Sequence, residues 1–201
     1  MHRNGKVRGS TLKAPTPHPP SALRSPSPSF SLWEKNLTSR VLVALRVRAS
    51  PERAFDVFTR EVGLWWRPNM MFQFTPRSPG VLSFEPGPDG HFADGRFIET
   101  LPNGKVFEIG KVRAWEPPIS GGPGRLMFGW RQAAFRPDQD TEVEVKFEPV
   151  GEETRVTVEH RGWDTVPQEH VARHTMPDQL FLRRHGEWWQ DLLNAMRETV
   201  Q

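Results

Sequence analysis

The chain has 201 residues, a formal charge of +3 and no cysteine, which suits one domain with some excess and excludes disulfides, thiolate metal sites and cysteine nucleophiles. The charge is uneven: residues 1–30 carry five Lys or Arg and no acid, which leaves 22 basic against 24 acidic side chains in residues 31–201, a net of −2. A body without excess positive charge lacks the footprint of a nucleic-acid binder, so no nucleic-acid partner is expected.

Residues 1–35 open the chain as a tail rich in Pro, Ser and basic side chains, "MHRNGKVRGSTLKAPTPHPPSALRSPSPSF" and the few residues after it. Nearly empty of large apolar groups, it cannot repay the entropy of ordering and is expected to be disordered, with residues 36–201 forming the domain. An Arg- and Ser-rich, acid-free start also has the composition of an organelle address, but its prolines break any amphipathic helix. No apolar run approaches the roughly 18 residues of a membrane span, and the start lacks a signal-type apolar stretch, so a soluble, cytoplasmic protein is expected.

The body begins with "RVLVALRV", in which Val41, Val43, Leu45 and Val47 alternate with more polar neighbours as in a half-buried strand. "SPERAFDVFTREV" follows with a capping Ser50, Pro51 at the first helical position and an apolar stripe of Ala54, Phe55, Val57 and Phe58, which predicts a short amphipathic helix. Trp65 and Trp66 then fall on a second short helix or turn that Pro68 closes. From Ser78 to Trp163 the pattern is one of about six further strands separated by turn signals such as "GPDG", "PNG" and "GEE". The last segment repeats Phe181, His185, Trp188, Leu192 and Met196 at three- and four-residue steps, which predicts a long helix with one broad apolar face. The order of strand, helix pair, meander and terminal helix predicts an α+β fold in which that helix covers one face of an antiparallel sheet.

Strand parity gives candidate inward residues. Val143, Val145 and Phe147 share one face, as do Val156, Val158 and His160, and as do Leu126, Phe128 and Trp130. The same count puts Glu108 on a face with Val106, Val112 and Ala114, so two ionisable groups, Glu108 and His160, are expected inside. They admit two readings: an acid/base pair able to move protons in a cavity, or a histidine held by hydrogen bonds inside the core, which is the preferred one. No metal site is expected, because His2 and His18 lie in the tail and His91, His170, His174 and His185 show no ligand spacing. No cofactor motif is present either, and the chain lacks tyrosine.

The pieces "AFDVFTREVGLWWRP", "NGKVFEIGKVRAWEPPISGGPGRLMFGWR", "TEVEVKFEPVGEETRVTVEHRGW" and "HGEWWQDLLNAM" together resemble bacterial single-domain proteins related to the C-terminal domain of the heat-shock-protein-90 ATPase activator. These belong to the START-like, helix-grip (SRPBCC) superfamily, and the resemblance covers about residues 38–200. It implies a curved sheet of about seven strands gripping the terminal helix, with a cavity between them that takes apolar small molecules. The expected ligand-binding residues are then Trp65, Trp66, Met70 and Phe72 at the rim, Phe128, Trp130 and His160 on the sheet, and Trp188 and Leu192 on the helix. For Trp65 and Trp66 a role as core seals weighs as much as a role at the rim. Two segments depart from the family pattern, the Gly-rich loop "PPISGGPGR" and the long "TVPQEHVARHTMPDQ", and both are expected to flank the cavity mouth. Three functions follow in order: binding of a lipid-like, polyketide-like or aromatic molecule; a cyclase, dehydratase or hydrolase using Glu108 and His160; and chaperone binding, ranked last. A homodimer is left open.

Overall fold

A computed structural model describes residues 1–2, 39–69, 71–76 and 79–200. The expected tail, beyond its first two residues, and Met70 lie outside the described residues. Strand β1 (Val41–Val47) leads into helix α1 (Pro51–Thr59) and the single-turn α2 (Val62–Trp65). The meander follows as β2 (Val81–Glu85), β3 (Arg96–Thr100), β4 (Val106–Glu116), β5 (Gly124–Trp130), β6 (Thr141–Val150) and β7 (Glu153–Arg161). Two short 3₁₀ turns, Trp163–Thr165 and Val171–Arg173, then precede helix α3 (Asp178–Val200).

The seven strands form one antiparallel sheet in the order β1-β7-β6-β5-β4-β3-β2. Each hairpin pairs sequence neighbours, and β1 joins β7 at the far edge. Capping at α1 follows the sequence: Ser50 Oγ accepts the Arg53 N–H at 3.3 Å, and Pro51 occupies the first helical turn, where no amide donor is needed. Ala54, Phe55, Val57 and Phe58 are buried against the sheet, with Phe55 and Phe58 packing edge-on to Phe147 of β6. Along α3, Phe181, His185, Trp188, Leu192 and Met196 are all buried, as are Trp189 and Leu193 beside them. A side chain of this kind contributes roughly 1.5–3 kcal/mol by leaving water, so the helix is held to the sheet by its apolar stripe more than by its propensity.

Parity holds on β5, β6 and β7, where Leu126, Phe128, Trp130, Val143, Val145, Phe147, Val156, Val158 and His160 are buried. It fails on β4. Phe97 of β3 lies opposite Gly110, while the next residue, Ile98, lies opposite Glu108, so Ile109 is an extra residue in β4. A bulge of one residue reverses which face every preceding side chain takes. Ile109 turns in and is fully buried, and Glu108 turns out with its side chain 42% exposed and Arg96 beside it at 3.8 Å. The expectation that Glu108 faces the interior with His160 is therefore corrected.

The Gly-rich loop also lies elsewhere than expected. The Gly121 N–H donates to Glu52 Oε1 at 2.6 Å, which ties the loop to the first turn of α1 and holds the Glu52 carboxyl below its usual range. It does not flank the cavity described next. The long segment before α3 does reach the helix-pair side: the His174 Nε2–H donates to the Met71 carbonyl.

Candidate functional site

The expected cavity between sheet and terminal helix is packed with rings. Trp130 of β5 and Trp163 pack at 5.4 Å, Trp163 and Phe181 of α3 at 4.7 Å, and Phe72 and Trp188 at 5.0 Å between centroids. Phe128, Trp130, His160 and Leu192, expected to line open space, are buried in this packing. Trp65 is a seal as well, packed on Phe58 with its indole N–H donating to the Val57 carbonyl at 2.8 Å.

At the centre of the packing lies a buried polar pair. The Nδ1 of His160 accepts from the Trp189 indole N–H at 3.2 Å, which leaves it no proton of its own. The 2.9 Å contact from His185 Nε2 to the same atom must then be an N–H of His185 donating. His160 consequently carries its proton on Nε2 and donates to Thr141 Oγ1 at 2.9 Å, and that hydroxyl donates to the Trp130 carbonyl at 2.6 Å. The relay runs from His185 and Trp189 through His160 and Thr141 to the Trp130 carbonyl, and among the described residues no acidic or basic side chain other than the two histidines joins it. Burial pushes His185 down to about 3, and burial, then the neighbouring His185, pushes His160 well below the ordinary imidazole value. The pair is neutral at physiological pH and closed to a substrate. Glu108 stands on the other face of the sheet, so the two residues form no acid/base couple.

Open space lies to the side of the core, and the helix pair creates it. The chain leaves α2 at Trp66, whose extended backbone (φ −68°, ψ 114°) turns the segment away from the helix before Pro68. An Asx turn at Asn69, whose Oδ1 accepts the Met71 N–H at 2.8 Å, reverses it. Two bonds then pin the returning strand of this loop: His174 to the Met71 carbonyl, and the Ala133 N–H to the Phe74 carbonyl at 2.8 Å. Between the loop and the β2–β3 hairpin remains a cleft of about 250 Å3 walled by Gly63, Trp66, Phe72, Phe74 and Leu82. Trp66 forms its back wall and is itself held edge-on to Trp188 and Trp189, both at 5.6 Å. Val81, which is exposed, stands at the mouth.

One carboxylate faces into this apolar cleft. Glu99 of β3 is 3% exposed; Oε2 accepts from the Thr75 hydroxyl and Oε1 from the Gly80 N–H, each at 2.8 Å. Neither donor is charged, and among the described residues no ion pair reaches Glu99. The sequence held a trace of it, since Phe97 and Glu99 share a parity in "RFIET". Ile98 on the opposite face is also apolar, and that hid the alternation. A larger groove of about 530 Å3 lies on the outer face among Glu85, Arg96, Glu108 and Lys111, but its walls are charged and solvated. Of the expected ligand-binding residues, Trp66 and Phe72 line the cleft; Trp188 lies one ring behind them.

Residues 48–201 match the protein family described as Activator of Hsp90 ATPase homolog 1-like protein. No curated protein matches the sequence. Among solved structures, a Mesorhizobium loti protein is similar over 79% of this chain and 94% of its own, at 18% identity and a TM-score of 0.51. DynU16, a protein of the dynemicin biosynthetic locus, is similar over 80% of this chain and 46% of its own, at 19% identity and a TM-score of 0.50. At these identities the likeness is one of fold.

Proposed function

The chain belongs to the Activator of Hsp90 ATPase homolog 1-like family and has its START-like helix-grip fold, and from that premise we propose that it binds a small apolar molecule in the cleft beside α2. The observation that carries the reading is the cleft itself: ring-walled, about 250 Å3, and furnished with one buried carboxylate. Ligand sites are mostly apolar with a few placed polar groups, and this volume suits a guest of one or two rings rather than a long lipid. The cleft replaces the space under α3 as the binding place, because that space is filled. Trp66 and Phe72 supply flat contact area, and the ordered core behind them keeps the wall in place. Binding without chemistry is favoured, since among the described residues Glu99 is the one ionisable side chain lining the cleft, with no second acid or base beside it there to complete a catalytic pair. Among those residues no helix is long and apolar enough to cross a membrane, and action in the cytoplasm is part of this reading.

The test is native mass spectrometry of the protein purified from its own host, beside a Gly63→Leu variant. Gly63 lines the cleft, and a Cβ there would meet only the Leu82 carbonyl at 3.4 Å and Val81 at 3.6 Å, so a larger side chain extends into the open space with little backbone conflict. A co-purifying species that the variant loses while its fold is kept is the expected result. A bound species that Gly63→Leu retains would place the site elsewhere.

A further inference from the structure

We propose that the cleft selects apolar molecules carrying a protonated amine, and that Glu99 is the residue that selects them. The inference rests on the cleft reading above and specifies its ligand class.

A carboxylate that is nearly excluded from water is ordinarily matched by a cation, because neutral hydrogen bonds offset only part of the cost of removing its charge from water. Glu99 receives one neutral donor on each oxygen, the Thr75 hydroxyl and the Gly80 N–H. These two bonds fix the carboxylate plane and leave acceptor capacity on both oxygens, since an ionised carboxylate offers about four lone-pair sites. The side chain is thus oriented, and no cation among the described residues neutralises it; it lines a cavity whose remaining walls are mainly rings and aliphatic groups.

Those walls agree with the charge. Trp66, Phe72 and Phe74 all line the cleft, with Trp66 and Phe74 centroids 5.7 Å apart. Aromatic faces attract cations and repel anions through their quadrupoles, and the attraction strengthens as water is excluded. A ring-bearing amine would bury its apolar part between Trp66, Phe72 and Leu82 and aim its N–H donors at Glu99. An anionic ligand would meet a carboxylate and the faces of three rings.

The probes are three molecules of one shape: 2-naphthylmethylamine, 2-naphthalenemethanol and 2-naphthoate, titrated into the full chain by calorimetry at pH 7.5. The expected order is amine, then alcohol, then acid, with the amine at least tenfold tighter than the alcohol. Glu99→Gln keeps a side-chain oxygen for Thr75 or Gly80 and should bring amine and alcohol within about twofold of one another, with near-ultraviolet circular dichroism unchanged. Alcohol binding that equals amine binding and is lost in Gly63→Leu would overturn the role of Glu99 and leave the cleft standing. Failure of all three probes to bind would overturn both. Arg77, between Thr75 and Gly80 in the sequence, provides a further control: an amine preference appearing only in Arg77→Gln would mean the chain itself neutralises Glu99, and would also overturn the proposal.

Discussion

His160 and His185 show what two polar residues cost and give in an aromatic core. Each imidazole is fully buried and neutral, and in the unfolded chain each takes a proton near pH 6.5. As pH falls through that value, the unfolded state gains protons and the folded state does not, so stability declines. Their contribution is complete above pH ~7.5 and falls by about 1.4 kcal/mol per pH unit for each imidazole below 6.5, or about 3 kcal/mol for the pair at pH 5.5. Urea midpoints measured from pH 8 to 5 should show this slope, and His185→Leu should halve it; a slope the variant leaves unchanged would mean other groups cause it. His160→Ala removes the acceptor of two buried donors, His185 Nε2–H and Trp189 Nε1–H, and opens space among rings. A loss of about 3–5 kcal/mol is expected. Glu108→Gln, on the solvated face with Arg96 at 3.8 Å, should change stability by no more than about 0.5 kcal/mol in the same denaturation experiment.

At the scale of elements, β4 marks where the sequence stops being legible. Alternation on β5, β6 and β7 places the apolar inward residues and His160 correctly because those strands pair one to one. In β4 the residue that is extra against β3, Ile109, turns Glu108 outward, and nothing in a period-two pattern announces it. A glycine beside the bulge was the available sign, since Gly110 sits in mid-strand, where glycine often marks close backbone approach. The structure gives the reason: a Cβ on Gly110 would stand 1.8 Å from the Gly129 carbonyl oxygen of β5. Gly110→Ala should therefore force the two strands apart and cost more than about 2 kcal/mol in equilibrium unfolding. A near-neutral result would show that the bulge relaxes at no cost. The apolar stripe of α3 and the cap of α1 were readable because each is a local pattern of side chains. The cleft was not, because it is the space left by a loop whose path depends on hydrogen bonds to His174 and Ala133, 103 and 59 residues away in the chain.

For the molecule as a whole, the question is how a fold that grips its helix so closely still offers room for a guest. The rings beneath α3 form one continuous cluster from Trp66 through Trp188 and Trp189 to His160 and Trp163. Opening it would expose several buried aromatics and the histidine pair at once, a cost far above what a small ligand returns. The cleft beside α2 is outside that cluster but shares Trp66 with it, so a guest bound there adds contacts without removing any. A ligand that binds only the folded state stabilises it by RT ln(1 + [L]/Kd), about 2.7 kcal/mol at a hundredfold excess over Kd. For a domain of this length, that corresponds to a rise in Tm of roughly 5–10 °C. The expected pattern is a saturable rise with 2-naphthylmethylamine, absent in Gly63→Leu and much reduced in Glu99→Gln. A guest that entered under α3 would instead have to unpack Trp188 and His185, and would lower Tm or bind only near the melting temperature. Scanning calorimetry with and without the amine separates the two, because one route adds to the packed core and the other is paid for by it.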